Sequence, residues 1–376
     1  MARQDAFDLS SVAVGGLIRE DVMQKIFDLS HIILPFTSRI GTAGHSAPYA
    51  EWPADRLQEP AANAVIDGSS ARADESFEPT SGRIGNHSQI STKTVKTSTR
   101  ANAVNTIGFA RAMAYQLSQR GDELRRDVEM IAMSNQSSVA DTGDGGVAGQ
   151  SAGLEAWVDD TDVIGGSMFD ATAGNSSQYR DLSTGGIGIG GWTNRTGNAI
   201  TDIDYSSVTA VAALTEESIK DVVEGLYLRG ADPTLLMARP PVIRRLSEFQ
   251  FTSAARIATL TNQDNAGSQG QRIAQGSVNV MVTDFSVLEL VANRLMRQSN
   301  KTGLDGDSTP LSDTVLIVDP SQLALSFLTG YRTVTEGKNG LLDEREIQVD
   351  WTLKPGSYEA IGAIFGVDDA AAVTAS

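Results

Sequence analysis

The chain reads as an α+β protein on three observations. A long stretch from Ala103 to Gln136 carries apolar side chains at helical spacing, and a second such stretch runs from Leu214 to Arg229. The last third consists of short β-prone segments bounded by Gly, Pro, Asp and Ser. Helices early and antiparallel strands late separate the two kinds of element along the chain, unlike the strict alternation of βαβ units.

In order, the first apolar pattern is a short helix from Leu17 to Leu29, with Ile18, Val22, Ile26 and Leu29 on one side, and Pro35 ends the apolar segment after it. Residues Thr37 to Thr99 differ, being dominated by Gly, Pro, Ser, Thr and Ala, and the segment is too long for an ordinary loop. Its end, Gln89 to Thr99 (QISTKTVKTST), is strand-prone with two largely polar faces, so it is expected to project into solvent and to pack on no core of its own domain. Such a strand needs a partner on another copy, or else it is a linker.

The stretch from Ala103 to Gln136 is expected to be one long amphipathic helix. Ala110, Met113, Leu117, Gly121, Leu124, Val128 and Ile131 fall on one stripe, of which Met113, Leu117, Leu124, Val128 and Ile131 are the candidate core. Arg120, Asp122, Glu123, Arg125, Arg126, Asp127 and Glu129 cover the other side. Gly121 costs such a helix about 1 kcal/mol relative to Ala, which points to close packing, a bend or a tolerated defect.

Ser137 to Asp204 holds most of the clustered glycines and is read as a surface loop or insertion. Gly186, Gly188 and Gly191 satisfy GxGxxG formally, but no strand precedes them and TNRTGN, not a helix, comes next, so a dinucleotide site is rejected. From Leu214 to Arg229 the residues Ile219, Val222, Val223, Leu226 and Tyr227 form a buried stripe, with Thr215 as N-cap and Gly230 as stop. Pro240 and Pro241 open a further helix, Val242 to about Phe249. Strands are expected at Val278 to Val282, Phe285 to Val291, Thr314 to Val318, Glu344 to Leu353 and Tyr358 to Val367. The last two flank Lys354-Pro355-Gly356-Ser357 and should form a hairpin.

Charge and composition narrow the function. The net charge is -17, which disfavours general nucleic-acid binding yet suits a container that holds nucleic acid without adhering to it. Cysteine is absent, which removes disulfides, thiolate nucleophiles and cysteine metal ligands. The N-terminal MARQDAFDLSS lacks the features of a signal peptide and no run of about 18 apolar residues occurs, so a soluble intracellular product with no membrane partner is expected. His31, His45 and His87 share no metal-ligand or triad spacing. Asp159, Asp160 and Asp162 lack EF-hand spacing and read as a solvated acidic loop. No catalytic, cofactor-binding or metal residue is assigned.

The order of motifs carries a resemblance. Tyr49-Ala-Glu51-Trp52-Pro-Ala-Asp55-Arg-Leu57, Ile84-Gly-Asn-His-Ser-Gln89-Ile90 and Ser98-Thr99-Arg-Ala-Asn-Ala-Val104 come first. Tyr115-Gln116-Leu117 with Gly121 to Glu129, Leu288 to Arg294, and Gln348 to Thr352 leading into Glu359 to Gly362 come after them. The collinear set, from about Pro35 to Val367, resembles the SU-ten-like podovirus branch of tailed-bacteriophage major capsid proteins, which have the Hong Kong 97-type fold. The Gly-rich Thr142 to Asn198 and Ala266 to Gly276 depart from it.

The resemblance implies an N-arm (1–40), an E-loop forming an extended β-hairpin arm (41–100), a P-domain spine helix (101–140), an A-domain with the Gly-rich insertion (141–275) and C-terminal strands shared by both domains (276–376). It further implies a non-enzymatic shell protein that assembles into hexamers and pentamers of an icosahedral capsid around double-stranded DNA, in the host bacterial cytoplasm. Its expected partners are further copies of itself, a separate scaffolding protein, a portal and a decoration protein. Trp52, Leu57, Ile84, Ile90, Lys93 and Lys96 would be E-loop contacts to neighbouring subunits. Cross-linking through Lys93 or Lys96, as in the type member of the fold, has no support in the sequence. Rival readings are an encapsulin-like compartment and an α+β enzyme with a mobile lid at Thr37 to Thr99.

Overall fold

The computed structural model describes residues 33–54, 62, 64, 66–68, 82–104, 111–143, 145–158, 214, 216–228, 230–249, 280–296, 313–336, 340–357 and 360–367. The expected helix at Leu17 to Leu29, His31, Leu57, the acidic run Asp159 to Asp162 and the glycines 186–191 lie outside them. The chain divides into two compact units. One comprises Met1–Ile33, Thr92–Leu124 and Arg332–Gln348, the other Leu34–Ser91, Arg125–Tyr331 and Val349–Ser376.

Helices and sheets are both present, as α+β requires. Strand β1 (Gly41–Gly44) belongs to a four-stranded sheet of order β1-β9-β10-β4, with β4 at Gln89–Ser98, β9 at Leu323–Thr335 and β10 at Leu342–Pro355. Strands β2 (Tyr49–Ala54) and β3 (Gly82–His87) pair antiparallel as a separate two-stranded sheet. The second large sheet has the order β11-β8-β5-β7-β6, with β5 at Leu235–Ala238, β6 at Val280–Val282, β7 at Val287–Ala292, β8 at Asp313–Val318 and β11 at Ile361–Val367. It is mixed, not antiparallel throughout. β5 pairs parallel to β7 and antiparallel to β8, and β1 pairs parallel to β9.

The single helix expected from Ala103 to Gln136 is two. A short α1 (Thr99–Ala103) is capped by the Ser98 hydroxyl, which accepts from the Ala101 N–H at 3.1 Å, and ends where Val104 turns extended. The long α2 spans Ala112–Met133. Asn102 caps its start, its side-chain oxygen accepting from the Met113 N–H at 3.0 Å. At the other end the Ser134 N–H and hydroxyl both donate to the Ile131 carbonyl, at 3.0 and 2.8 Å. That tight bonding replaces the next helical turn.

In the larger unit, α3 (Glu216–Leu228) and α4 (Pro240–Phe249) pack on one face of the five-stranded sheet. Ile219, Val222, Val223 and Leu226 of α3 and Val242 and Leu246 of α4 meet Leu236, Leu288, Ile317 and Ile364 in one apolar core. Each of these large side chains contributes roughly 1.5–3 kcal/mol by leaving water. Tyr227 is the exception to the expected stripe and stays exposed. Gly362 lets α3 approach β11. A Cβ there would lie 2.6 Å from Val222 Cγ1 and 3.0 Å from Leu226 Cδ1.

The expected hairpin around Pro355-Gly356 does not form. β10 ends at Pro355 in one sheet and β11 starts at Ile361 in the other, with the Gly356 N–H donating to the Gln322 carbonyl at 2.6 Å. Gly356 does not take the positive φ that a type II turn around Pro355-Gly356 requires, so the chain does not fold straight back on β10.

Candidate functional site

The strands flanking the expected arm are built into the subunit. β4 is no projecting strand: it pairs in the four-stranded sheet and buries Ser91, Val95 and Thr97 at a period of two, which leaves Thr92, Thr94 and Lys96 outside. In the larger unit Ser91 accepts from the Trp351 indole N–H at 3.1 Å. Its hydroxyl face, polar by sequence, is the partner of a buried aromatic.

Trp52 and Ile84 are cross-strand partners on β2 and β3 and are only 4% and 2% exposed in the single chain, so this chain already supplies most of their cover. The Trp52 ring lies 5.9 Å from that of Trp157 and carries Lys354 Nζ at 5.7 Å. Trp157 itself lies in a buried stretch, Ser151 to Val158, with a short 3-10 helix at Leu154–Trp157. That part of the expected Gly-rich surface loop is core. Gly153 is required in it, since a Cβ would stand 2.0 Å from the Ser134 carbonyl oxygen.

A polar cluster ties these pieces together. Asn86 is fully buried and its amide donates to Leu353 O (2.9 Å), Ser151 Oγ (3.2 Å) and Ala152 O (3.3 Å), while its oxygen accepts from Ala152 N–H (2.9 Å). The Leu353 N–H donates to Ser151 Oγ at 3.1 Å, and Thr352 Oγ1 donates to the His87 carbonyl at 3.0 Å. Gln136 Nε2 donates to Gln89 Oε1 at 2.7 Å and to Ser151 O at 2.9 Å. Every one of these groups would cost free energy if buried alone, so the set specifies one arrangement of β3, β10 and the segments 134–139 and 151–153. His87 Nδ1 sits 2.9 Å from Ser138 Oγ, and burial holds its pKa below the usual histidine value. His45 meets Ser326 Oγ at 2.9 Å and is lowered for the same reason, partly offset by Asp350.

The remaining arm candidates differ. Ile90 is 61% exposed on β4, Lys93 is half-buried, and Lys96 pairs with Glu344 of its own unit at 2.5 Å, which raises its pKa. Of the helix stripe, Met113, Leu124 and Val128 are buried, and Leu117 and Ile131 are half-buried. The neighbours Ala132 and Met133 are buried beyond expectation.

Glu129, read as a surface charge, is fully buried. Its Oε1 accepts from the Phe36 N–H (2.7 Å) and Asn293 Nδ2 (2.9 Å), and its Oε2 accepts from the Thr37 N–H (2.8 Å). Three donors take the place of water around the carboxylate and fix the chain at Phe36 to the helix. Nearby, Arg125 lies 5.6 Å from the Tyr331 ring centroid, and burial pushes the Tyr331 hydroxyl up to about 12.

Among the described residues no group of three or more His, Asp or Glu is placed to hold a metal. The buried charges and amides named above join elements to each other.

The major capsid protein of Escherichia phage Phieco32 is 28% identical over 244 residues, or 61% of this chain and 66% of that protein, just under two thirds of its length. The capsid of an empty GTA particle superposes with a TM-score of 0.55 at 11% identity, covering 95% of this chain and 99% of the other. A chain of Gordonia phage Cozz gives 0.51 at 12% identity, covering 97% of each. These likenesses establish the fold, the Hong Kong 97-type fold of phage capsids. A family model described as SU10 major capsid protein matches residues 4–368, and on that span the chain belongs to the SU10 major capsid protein family.

Proposed function

We propose that copies of this chain assemble, as hexamers and pentamers, into the closed icosahedral shell that encloses phage double-stranded DNA. The family match over residues 4–368 carries this reading. The role is structural and not catalytic, the site of action is the virion, and assembly takes place in the host bacterial cytoplasm with a separate scaffolding protein and a portal. A decoration protein on the outer surface fits the same scheme. A net charge of -17 suits the inner wall of such a shell, because DNA phosphates find no strong grip on it.

Within the subunit, α2 is the spine helix of the P-domain, and the five-stranded sheet with α3 and α4 forms the body of the A-domain. Ile90, Lys93 and Lys96 serve as contacts to neighbouring copies. The E-loop of this reading spans 41–100, within which Trp52 and Ile84 are buried in the single chain and β4 is paired. The encapsulin-like compartment has less support, since the matched family is one of phage capsid proteins. Against the enzyme reading, β4 at the end of the supposed lid is paired within a sheet.

Negative-stain images of the product expressed with its scaffolding protein test the proposal. Closed particles are expected. Monomers or dimers alone, at every salt and concentration tried, refute it.

A further inference from the structure

Two of the three histidines in the sequence stand at one end of the β2–β3 ribbon. His45 lies in the link from β1 to β2, and His87 closes β3 opposite Tyr49, the first residue of β2. Each is half-buried, and each has its ring Nδ1 2.9 Å from a buried serine hydroxyl, Ser326 of β9 for His45 and Ser138 after α2 for His87. Ser138 Oγ also accepts from the His87 backbone N–H at 3.1 Å, so its own proton is left for Nδ1 of the neutral imidazole. Protonation turns Nδ1 from acceptor into donor, and the hydroxyl proton then loses its acceptor. The Tyr49 ring, 4.6 Å from that of His87, shuts out water and offers a cation only the weak pull of a π face. At His45, Nε2 and Asp350 Oδ1 are both shut off from solvent with no hydrogen-bond partner among the described residues.

We infer that His45 and His87 are proton-released latches. Neutral, they fasten the end of the β2–β3 ribbon to β9 and to the segment after α2, and protonated in mild acid they let it go. The chain between Ala54 and Gly82 leaves and returns through this ribbon, so the latches set how firmly both its ends are held. The inference concerns the single chain and does not rest on the shell reading. Charges around the two rings decide its sign. β9 carries none from Leu323 to Tyr331, and on β10 Asp350 and Lys354 flank Thr352, which donates to the His87 carbonyl. Glu51 shares the Tyr49 face of β2 by alternation, Asp141 beyond Ser138 accepts from the Gly143 N–H, and Lys354 Nζ lies over the Trp52 ring. Burial outweighs these charges. It holds both histidines below the usual 6.5, with Asp350 offsetting part of the effect at His45. A detached histidine therefore takes up protons before a latched one, so the latch contribution is complete above about pH 6.5 and is lost as the pH falls below it.

Hydrogen exchange of the unassembled full chain, corrected for the intrinsic pH dependence of amide exchange, tests this between about pH 7.5 and about pH 5.5. Protection of the amides in Tyr49–Ala54 and Gly82–His87 should fall roughly threefold or more across that range, while β5 and β8 of the five-stranded sheet keep theirs. In the double variant His45→Asn/His87→Asn the fall should vanish, because the amide oxygen can accept from the serine hydroxyl as Nδ1 does but takes up no proton. Asp350→Asn, which removes the offset at His45, should make the fall steeper. Equal ribbon protection at the two pH values, or an undiminished fall in the double variant, overturns the inference. If the double variant does not fold, ring-proton titration of the unchanged chain by NMR decides. Both histidines should titrate below 6.5, and either one titrating at or above that value overturns the pair of latches.

Discussion

The five-stranded sheet and the polar cluster around Asn86 lie in the same compact unit and are held by opposite means. In the sheet, β8 and β5 bury every residue, and apart from Asp313 and Thr314 at the start of β8 these residues are apolar, so shape and volume largely decide stability. Around Asn86, buried oxygens and nitrogens from β3, β10 and the segment after α2 must each find a stated partner. The first region tolerates any apolar group of the right size. The second tolerates only the group that is there. A shell protein has use for both, because the sheet supplies a rigid body while the polar cluster fixes β3 against β10 and the segment at Ser151 and Ala152.

Reciprocal, nearly isosteric exchanges break this comparison most sharply. Leu236→Asn should destabilise the unassembled subunit by about 4–5 kcal/mol, since it loses apolar burial and leaves an amide without partners. Asn86→Leu should cost about 3 kcal/mol although it adds apolar surface to a buried site, because the Ala152 N–H and the Ala152 and Leu353 carbonyls lose the amide. Urea melts of both variants measure the two costs. A neutral or stabilising Asn86→Leu would show that the polar cluster is ornamental and that the regions do not differ in kind.

The same contrast explains what the sequence disclosed. α3 was legible because Ile219, Val222, Val223 and Leu226 recur at helical spacing and all four are buried. The strands β6, β7, β8, β10 and β11 were legible as apolar or β-branched runs, with ends displaced by a few residues. β5 was not, since LLMA is short, is made of helix formers and is buried on both faces, which leaves no alternation to read. The burial of β4 was hidden because its inward residues are Ser91, Val95 and Thr97, small and mostly polar. Asn86 and Glu129 were invisible for a stronger reason. Their partners are 65 to 267 and 92 to 164 residues away, and no local pattern marks a polar side chain whose donors and acceptors arrive from elsewhere. The family resemblance reached the fold where local patterns did not, but it could not show that Trp52 and Ile84 are covered within this chain, since their exposure is a property of its packing and not of the motif.

Glu129 sharpens the comparison, because it is a charge held by three donors next to apolar Met133 and Phe36. Glu129→Gln keeps the shape but offers a single acceptor oxygen to N–H groups that now use both, so one amide N–H must face another donor. The expected loss is about 2–3 kcal/mol in the urea melt of the subunit. An unchanged midpoint would mean that the carboxylate does not accept from Phe36 and Thr37 in solution.

The smallest effect, and the only stabilising one, is expected where neither kind of partner is needed. Gly121 lies inside α2, and a Cβ built there would meet only Ile347 Cδ1 at 3.8 Å, an ordinary van der Waals distance. Among the described residues nothing requires glycine at this point, so Gly121→Ala should gain helix propensity and add a contact, for about 0.5–1 kcal/mol of stability. The melting temperature should rise by about 1–3 °C. Gly362→Ala is the control with the opposite sign, since its Cβ would press on Val222 at 2.6 Å and overpack the α3–β11 contact. If Gly121→Ala raises the subunit's melting temperature and shells still form, the glycine is a tolerated defect. If it raises the melting temperature but lowers the yield of closed particles, the glycine serves the assembled state, where a bend in the spine helix would be needed that the isolated subunit does not make. A lower melting temperature would show that the helix is not regular at Gly121 in solution.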